Sequence, residues 1–289
     1  MINTHPGRIR FAPIALILLA ASWGLAFVVM KDSIERQSVN SFLFTRFAFA
    51  LIFLIAFRPK VFRLITKELF LKAFAAGLLL GGGFIFQTEG LARTGAAITG
   101  FLTGLYVVVT PLISALVLRK RISLFTWGCV ALATVGLALL SLRGWSMGFG
   151  EFLVLLCAVA FGAHIVALGQ WSAGRDVYAM TTVQLFAVTV LTGGFAFAEG
   201  YQAPPDNGVW AVVFFTAIVC TAFGFIVQTW AQAHIEPTKV AVILTLEVVF
   251  AALFAITIGR ETMTFQVALG GIILLIAMYL IVVKEPSND

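Results

Sequence analysis

Glu247 is the residue with the clearest chemical potential, because it is a carboxylate in the middle of a long apolar run. If that run spans a membrane, a charge near its centre costs at least about 2.5–3.5 kcal/mol on insertion scales. Such a carboxyl either faces a watery cavity or stays protonated, since burial disfavours its charged form. Either state suits a group that exchanges protons or contacts a substrate amine. A structural hydrogen bond is the alternative.

Two further ionisable side chains lie within apolar runs. His164 is a second candidate for contact with a substrate, and a neutral imidazole bonded to a backbone carbonyl is the alternative. Arg46 lies nearer one end of its run, so we expect it to extend its head group towards the interface or to form a structural pair. Binding an anionic group in a cavity is the alternative for Arg46.

Uncharged side chains complete the predicted substrate site. Gln87 and Gln228 occur in similar local sequences and together could frame one site. Pro111 should bend its helix and free a carbonyl that could line a cavity, unless it is only a packing kink. The predicted substrate-binding residues are Trp23, Gln87, Tyr106, Pro111, His164, Gln228, Trp230 and Glu247. Glu247 is also the predicted coupling residue.

Glycine pairs spaced four residues apart predict helix faces where another backbone approaches closely. Gly77 and Gly81 form one such pair, and Gly100 and Gly104 form another. We assign these four glycines, with Arg46, to structural or gating roles. Static helix packing is the alternative to a moving interface.

The elements that must position these residues are apolar along the whole chain. Of 289 residues, 61% are hydrophobic and 11% are charged, against roughly 45–50% and about 25% in an ordinary soluble domain. The mean hydropathy of +1.04 therefore predicts a polytopic membrane protein. The three cysteines lie in apolar runs, so no disulfide framework is expected. The pI of 9.5 indicates charged loops rather than binding to nucleic acid.

Apolar runs bounded by charged or turn residues predict ten membrane-spanning helices, since each span takes about 20 residues. The predicted spans are 11–30, 40–57, 70–90, 96–118, 124–142, 150–171, 178–198, 209–230, 238–258 and 264–283. The first run is longer than the apolar region of a typical signal peptide, which has about 7–15 residues, so we expect it to remain as a helix. Most Lys and Arg residues lie in loops that are predicted on the same side of the membrane as the N-terminus, above all in residues 58–72 and 119–121. Both termini are therefore expected in the cytoplasm.

The ten spans divide into two halves with similar local sequences. Residues 84–88 resemble residues 225–229, and Arg46 of the first half aligns with Gln184 of the second. An odd number of spans in each half inverts the second half relative to the first, an arrangement typical of secondary transporters. We therefore expect an all-α polytopic membrane protein, with ten transmembrane helices in two inverted five-helix repeats. The repeats are expected at 1–144 and 145–289.

Six short segments, spread over both halves, share their order and spacing with a known family. They are 21–27, Arg46-Phe47, 95–97, 104–112, Leu246-Glu247 and 259–264. Through them the whole chain resembles the drug/metabolite transporter (DMT) superfamily, EamA type. The resemblance implies ten helices around a central cavity, lined mainly by helices one, three, four, six, eight and nine. It also implies a plasma-membrane carrier that often exports amino acids, other metabolites or toxic compounds.

Two positions depart from the family pattern. Val248 stands where a proline usually follows the ninth-helix glutamate, so a kink there is in doubt. The acidic residue expected before the fifth helix is replaced within residues 119–121, which weakens any role for that position.

The expected function is that of a secondary active transporter. It would move a small organic metabolite (an amino acid, a related compound or a drug) across the bacterial inner membrane, as an exporter, by alternating access around a midplane cavity. Protons are the candidate coupling ion. An uncoupled facilitator, uniporter or channel is the first alternative, and a membrane enzyme or lipid flippase is the second.

The residues point to no catalytic chemistry. They assemble no nucleophile–base pair or metal constellation, so no catalytic residue, no metal ligand and no cofactor is expected. The expected partners are the small-molecule substrate and the lipid bilayer, with no nucleic acid. We expect the protein to be a monomer or a weak homodimer.

Overall fold

The computed structural model of the chain describes residues 12–117, 123–143, 146–234, 240 and 243–284, and these are almost entirely helical. The α-helices are α1 (Ala12–Arg36), α2 (Val39–Phe57), α3 (Lys67–Leu91), α4 (Ala96–Thr103), α5 (Tyr106–Val117), α6 (Leu124–Ser141), α7 (Phe149–Trp171), α8 (Val177–Ala198), α9 (Asn207–Phe215), α10 (Gly224–Gln232), α11 (Leu246–Thr257) and α12 (Phe265–Lys284).

Shorter elements connect some of these helices. A 3₁₀ helix (Pro59–Leu64) follows α2, and a π-helix (Thr216–Phe223) joins α9 to α10. Strands β1 (Leu142–Arg143) and β2 (Ser146–Met147) form an antiparallel ladder between α6 and α7. The architecture is therefore a helical bundle with one very small β-ladder in the described residues.

Seven helices in the described residues are long and apolar enough to cross a membrane. They are Ala12–Arg36, Val39–Phe57, Lys67–Leu91, Ala96–Val117, Phe149–Trp171, Val177–Ala198 and Asn207–Gln232. The segment Ala96–Val117 joins α4 and α5, whereas Asn207–Gln232 includes the π-helix. Further apolar helices are shorter, among them Leu246–Thr257. The chain is thus a multi-pass membrane protein.

The first helix is longer than its predicted span. It was expected to end at residue 30, but α1 continues to Arg36, which pairs with Asp32 one turn earlier at 2.6 Å. Ser38 then begins α2, because its side-chain oxygen accepts the backbone N–H of Ser41. In the predicted ninth span, residues 238–239 and 241–242 lie outside the described residues.

The predicted fourth span is broken at Gly104 and Leu105, which form a turn between α4 and α5. The N–H groups of Val107 and Val108 donate to carbonyls three residues back, which is the winding of a 3₁₀ helix. Gly104 therefore lies in a turn and not on a continuous helix face. Pro111 lies inside α5 without ending it, and the irregular winding comes before Pro111 in the chain.

Close contacts between helices occur at glycines. A Cβ added at Gly77 would lie 2.5 Å from the carbonyl oxygen of Gln184 in α8, and one added at Gly100 would lie 2.7 Å from Ala251 Cβ in α11. A Cβ added at Gly24 would lie 2.7 Å from the nitrogen of Ala251. Helix α3 therefore packs closely on α8, and α1 and α4 both pack closely on α11. A gating role for these contacts stays a prediction.

Gly77→Ala should destabilise the protein by about 1–3 kcal/mol, because α3 has no room for a methyl group against α8. Gly82→Ala in the same helix is the matched control, since no atom lies within 4 Å of its added Cβ. That control should be neutral or stabilising by up to about 1 kcal/mol. Thermal unfolding of both purified variants measures the difference, and equal unfolding midpoints would contradict the packing at Gly77.

Candidate functional site

A cavity lies between the helices, close to the middle of several of them. It offers about 40 Å³ to the centres of water-sized spheres, which is room for a few water molecules. Helices α1, α2, α3, α5, α7, α10 and α11 contribute to its wall. The lining residues are Trp23, Ala26, Phe27, Met30, Arg46, Leu80, Phe84, Gln87, Tyr106, Phe161, His164, Ile165, Phe225, Gln228, Leu244 and Glu247.

Two of the lining residues, Arg46 and Glu247, have ionisable side chains of opposite type. Glu247, the second residue of α11, is 6% exposed, and Arg46 of α2 is 2% exposed. The two groups interact electrostatically. Within the described residues, however, no ion pair of 4.0 Å or less includes either of them. The cavity wall therefore carries a guanidinium and a carboxyl group that are not in direct contact with each other.

Arg46 does not extend to the interface, which corrects the expectation from its place in the sequence. Its Nε donates to Thr221 Oγ1 at 2.8 Å, and its NH1 donates to Met30 Sδ at 3.4 Å. The guanidinium carbon lies 5.2 Å from the centre of the Phe47 ring and 4.9 Å from that of Phe84. The side chain turns inward because these contacts compensate for part of its lost hydration.

The π-helix between α9 and α10 positions groups around Arg46. Thr221, which accepts from Arg46, lies in this segment, and so does Cys220, whose carbonyl accepts from Trp23 Nε1 at 2.7 Å. A π-turn departs from the regular i to i−4 bonding of an α-helix, and such turns recur at functional sites. The sequence around Cys220 contains no proline that would announce the irregularity, so pattern reasoning missed it.

Gln87 and Gln228 both line the cavity, together with Tyr106. Gln87 Nε2 donates to Thr103 Oγ1 at 3.2 Å. In contrast, Gln228 Oε1 and the Tyr106 hydroxyl are buried and have no hydrogen-bond partner among the residues that the structure describes. Buried polar atoms without partners are costly and rare in proteins. These two atoms are therefore available to a polar group that enters the cavity.

His164 also lines the cavity, and its hydrogen bond differs from the expected one. Its Nε2 lies 2.8 Å from the side-chain oxygen of Gln184, not from a backbone carbonyl. Gln184 in turn donates its amide to the carbonyl of Met180 at 3.3 Å. Because one imidazole nitrogen is held by Gln184, the ring has a fixed orientation beside the cavity.

Aromatic rings form much of the cavity wall. Phe84 is central, since its ring centre lies 5.2 Å from that of Phe161 and 5.9 Å from that of Phe225. Trp23 lies 5.6 Å from Phe225. A Cβ added at Gly83 would overlap the Phe161 ring, so this glycine lets the ring lie against α3. The wall offers apolar surface next to a few polar groups, as small-molecule sites do.

Two predicted substrate-binding residues, Trp230 and Pro111, lie outside the lining of this cavity, and their part in binding stays a prediction. Trp230 lies on a surface groove with Arg58, Tyr178 and His234. It follows Gln228 by two residues, about 200° around a helix, so the two side chains cannot share a face. Pro111 is buried but does not line the cavity. It follows Tyr106 by five positions, which places it about 140° away around α5.

None of the four phenylalanines in the lining is among the site residues predicted from the sequence; they are Phe27, Phe84, Phe161 and Phe225. The sequence nevertheless contained a signal for them. When the two halves of the chain are aligned on their similar local sequences, several lining residues of the first half align with lining residues of the second. The corresponding pairs are Trp23 with Phe161, Phe84 with Phe225, Gln87 with Gln228 and Tyr106 with Glu247. The charge of the site thus differs between the halves, since a phenol in the first corresponds to a carboxylate in the second.

The apolar helices and the partly polar cavity between them define a multi-pass membrane protein with an internal cavity. The sequence comparisons identify the class further. The chain belongs to the EamA-like transporter family, whose model matches residues 10–142 and again residues 148–283. The resemblance inferred from the short segments is thereby confirmed.

Relatives over nearly the whole chain are also transporters by name. An uncharacterized transporter of Archaeoglobus fulgidus is 32% identical over 272 residues, which cover 94% of this chain and 85% of that protein. The uncharacterized transporter YoaV of Bacillus subtilis is 24% identical over 284 residues, with 92% and 95% covered. A protein crystal structure shares the fold with a TM-score of 0.65 and 18% identity, covering 96% of this chain and 98% of that one.

Proposed function

We propose that the protein is a secondary active transporter that exports a small organic metabolite across the inner membrane of a bacterium. The cavity is the observation that supports this most directly, because a solute site inside the helices suits a carrier. The substrate would be an amino acid, a related compound or a drug. Its apolar part would pack against rings such as Phe84 and Phe161, and its polar part would meet Gln228, Tyr106 and Glu247.

The proposed architecture has ten transmembrane helices in two inverted repeats, 1–144 and 145–289. Two observations support it: the family model matches the chain twice, and corresponding positions of the two halves line the cavity. Both termini are proposed to lie in the cytoplasm, because the basic residues of 58–72 and 119–121 then follow the positive-inside rule.

Alternating access would require contacts between the halves to break on one face at a time. On the face proposed to be periplasmic, Glu261 accepts the backbone N–H groups of Ala96 and Ala97 at 2.7 and 3.3 Å. On the opposite face, Arg175 donates to Glu68 at 2.6 Å. Contacts of this kind on both faces suit a protein that exchanges one set for the other.

A second contact on the proposed periplasmic face pairs Arg36 with Asp206. The pKa of Asp206 is lowered from its ordinary value, first because the Val209 N–H donates to the carboxylate and then because Arg36 is close. A lowered pKa means that the carboxylate stays charged at neutral pH. The pair is lost only in acid, as the pH falls through the lowered pKa.

Counterflow into proteoliposomes tests the proposal. Vesicles loaded with unlabelled compound are diluted into traces of labelled amino acids, nucleosides, vitamins or cationic drugs, one at a time. A carrier should accumulate one of these transiently and saturably, because internal substrate speeds the return of the empty site. Equilibration without trans-stimulation would favour a channel instead. Product formation or lipid scrambling would favour the enzyme or flippase alternatives.

A further inference from the structure

We infer that Arg46 is the specificity-determining residue of the cavity and that it selects substrates bearing a carboxylate. This inference rests on the proposed function, since it assumes that the cavity is the substrate site. Arg46 lines the cavity and is 2% exposed. The substrate carboxylate would accept hydrogen bonds from the terminal nitrogens of its guanidinium.

The guanidinium has more donors than the protein uses. It presents five N–H groups, of which Nε bonds to Thr221 and NH1 contacts the sulfur of Met30. A thioether sulfur is a weak acceptor, so the second contact is a poor substitute for an oxygen. Within the described residues, no carboxylate oxygen lies within 4.0 Å of Arg46. The terminal nitrogens therefore lack the anionic partner that a buried arginine requires.

The surroundings of Arg46 favour a planar anion. Phe47 and Phe84 lie against the guanidinium, with ring centres 5.2 and 4.9 Å from its carbon, and Arg46 is almost completely buried. A hydrogen bond to a charged group is stronger in such a dry environment. The planar fork of arginine matches the two oxygens of a carboxylate, so a carboxylate fits this position better than a neutral amide does.

Glu247 does not already occupy this role. It lines the same cavity, but it forms no ion pair with Arg46 within 4.0 Å. Gln228 and Tyr106 line the cavity too, and within the described part of the chain Gln228 Oε1 and the Tyr106 hydroxyl lack hydrogen-bond partners. A substrate carboxylate at Arg46 would leave the remaining polar groups of the site for the rest of the same molecule.

A structural role for Arg46 is the competing explanation, because its bond to Thr221 connects α2 to the π-helix. The structural role and the substrate-binding role predict different effects when Arg46 or Thr221 is replaced. If Arg46 only holds the π-helix, Thr221→Val should be as harmful as Arg46→Met. If Arg46 binds substrate, Thr221→Val should retain the preference for carboxylates, since the terminal nitrogens are unchanged.

The test measures binding of matched compounds to the purified full-length protein in nanodiscs. The pairs are leucine with leucinamide and phenylacetate with phenylacetamide, so that each pair differs at the carboxylate. In at least one pair the carboxylate should bind about 10- to 100-fold more tightly, as expected for hydrogen bonds to a charged group. Arg46→Met should abolish this preference, Arg46→Lys should reduce it, and Thr221→Val should preserve it.

Three results would overturn the inference: equal binding within each pair, a preference that survives in Arg46→Met, or no binding of either carboxylate. If Arg46→Met does not fold, the wild-type pairs and Arg46→Lys decide the matter. Counterflow separates this inference from the proposed function. Counterflow of compounds without carboxylates would leave a transporter and refute the role of Arg46, whereas no counterflow of any compound would refute the transporter itself.

Discussion

Glu247→Gln should abolish proton-driven transport while it preserves part of the substrate counterflow. Glutamine keeps the size and much of the hydrogen bonding of glutamate, but it cannot bind and release a proton in the cycle. Glu247 is 6% exposed on the cavity wall. The groups that interact with it electrostatically are Arg46, Tyr106, Cys157 and Cys220, of which Arg46 is the cation.

The measurement compares uptake with and without an imposed pH gradient, at equal amounts of reconstituted protein. Glu89→Gln is the matched control, because Glu89 pairs with Arg93 near the end of α3 and does not line the cavity. The control should keep the gradient dependence of the wild type. Unchanged gradient dependence in Glu247→Gln would remove Glu247 from the coupling step.

Ala26→Phe should lower substrate affinity about 10- to 100-fold without unfolding the protein. Ala26 lies on the cavity wall and is 4% exposed, so a phenyl ring there would enter the space reserved for the substrate. The ring would displace part of the bound substrate, and a 10- to 100-fold loss of affinity corresponds to about 1.4–2.8 kcal/mol of binding free energy. Counterflow as a function of substrate concentration measures the effect.

Leu18→Phe provides the control for Ala26→Phe, because Leu18 is on the same helix and is 67% exposed on its outer surface. It should transport as the wild type does. Thermal unfolding of both variants separates a blocked site from a damaged fold. Wild-type affinity in a folded Ala26→Phe variant would place the substrate outside the cavity.

Much of the fold could be predicted from the sequence, because the membrane imposes simple rules on composition. A span needs a long apolar run, and α2, α3 and α7 lie within a few residues of their predicted limits. The break at Gly104 and the π-helix could not be predicted in this way. They depend on which hydrogen bonds the surrounding helices allow, and apolar composition does not determine those bonds.

The residues of the candidate site could be predicted where a polar or charged side chain occurs within an apolar run. Glu247 and the two glutamines stand out for that reason, and all three line the cavity. Arg46 also stands out, but its position within the apolar run does not determine the direction of its long side chain, which turns inward and bonds to Thr221. Trp230 was included for its ring, although its position relative to Gln228 on a helix already opposed a shared face.

The central claim is that this cavity serves as one substrate site open to each side of the membrane in turn. Cysteine labelling at Ala26→Cys tests it, in a background where the buried Cys129, Cys157 and Cys220 are replaced by alanine. A membrane-impermeant thiol reagent should label Ala26→Cys in both inside-out and right-side-out vesicles, and a compound active in counterflow should protect it from either side. Labelling from one side alone, or labelling that such a compound does not slow, would contradict alternating access at this cavity.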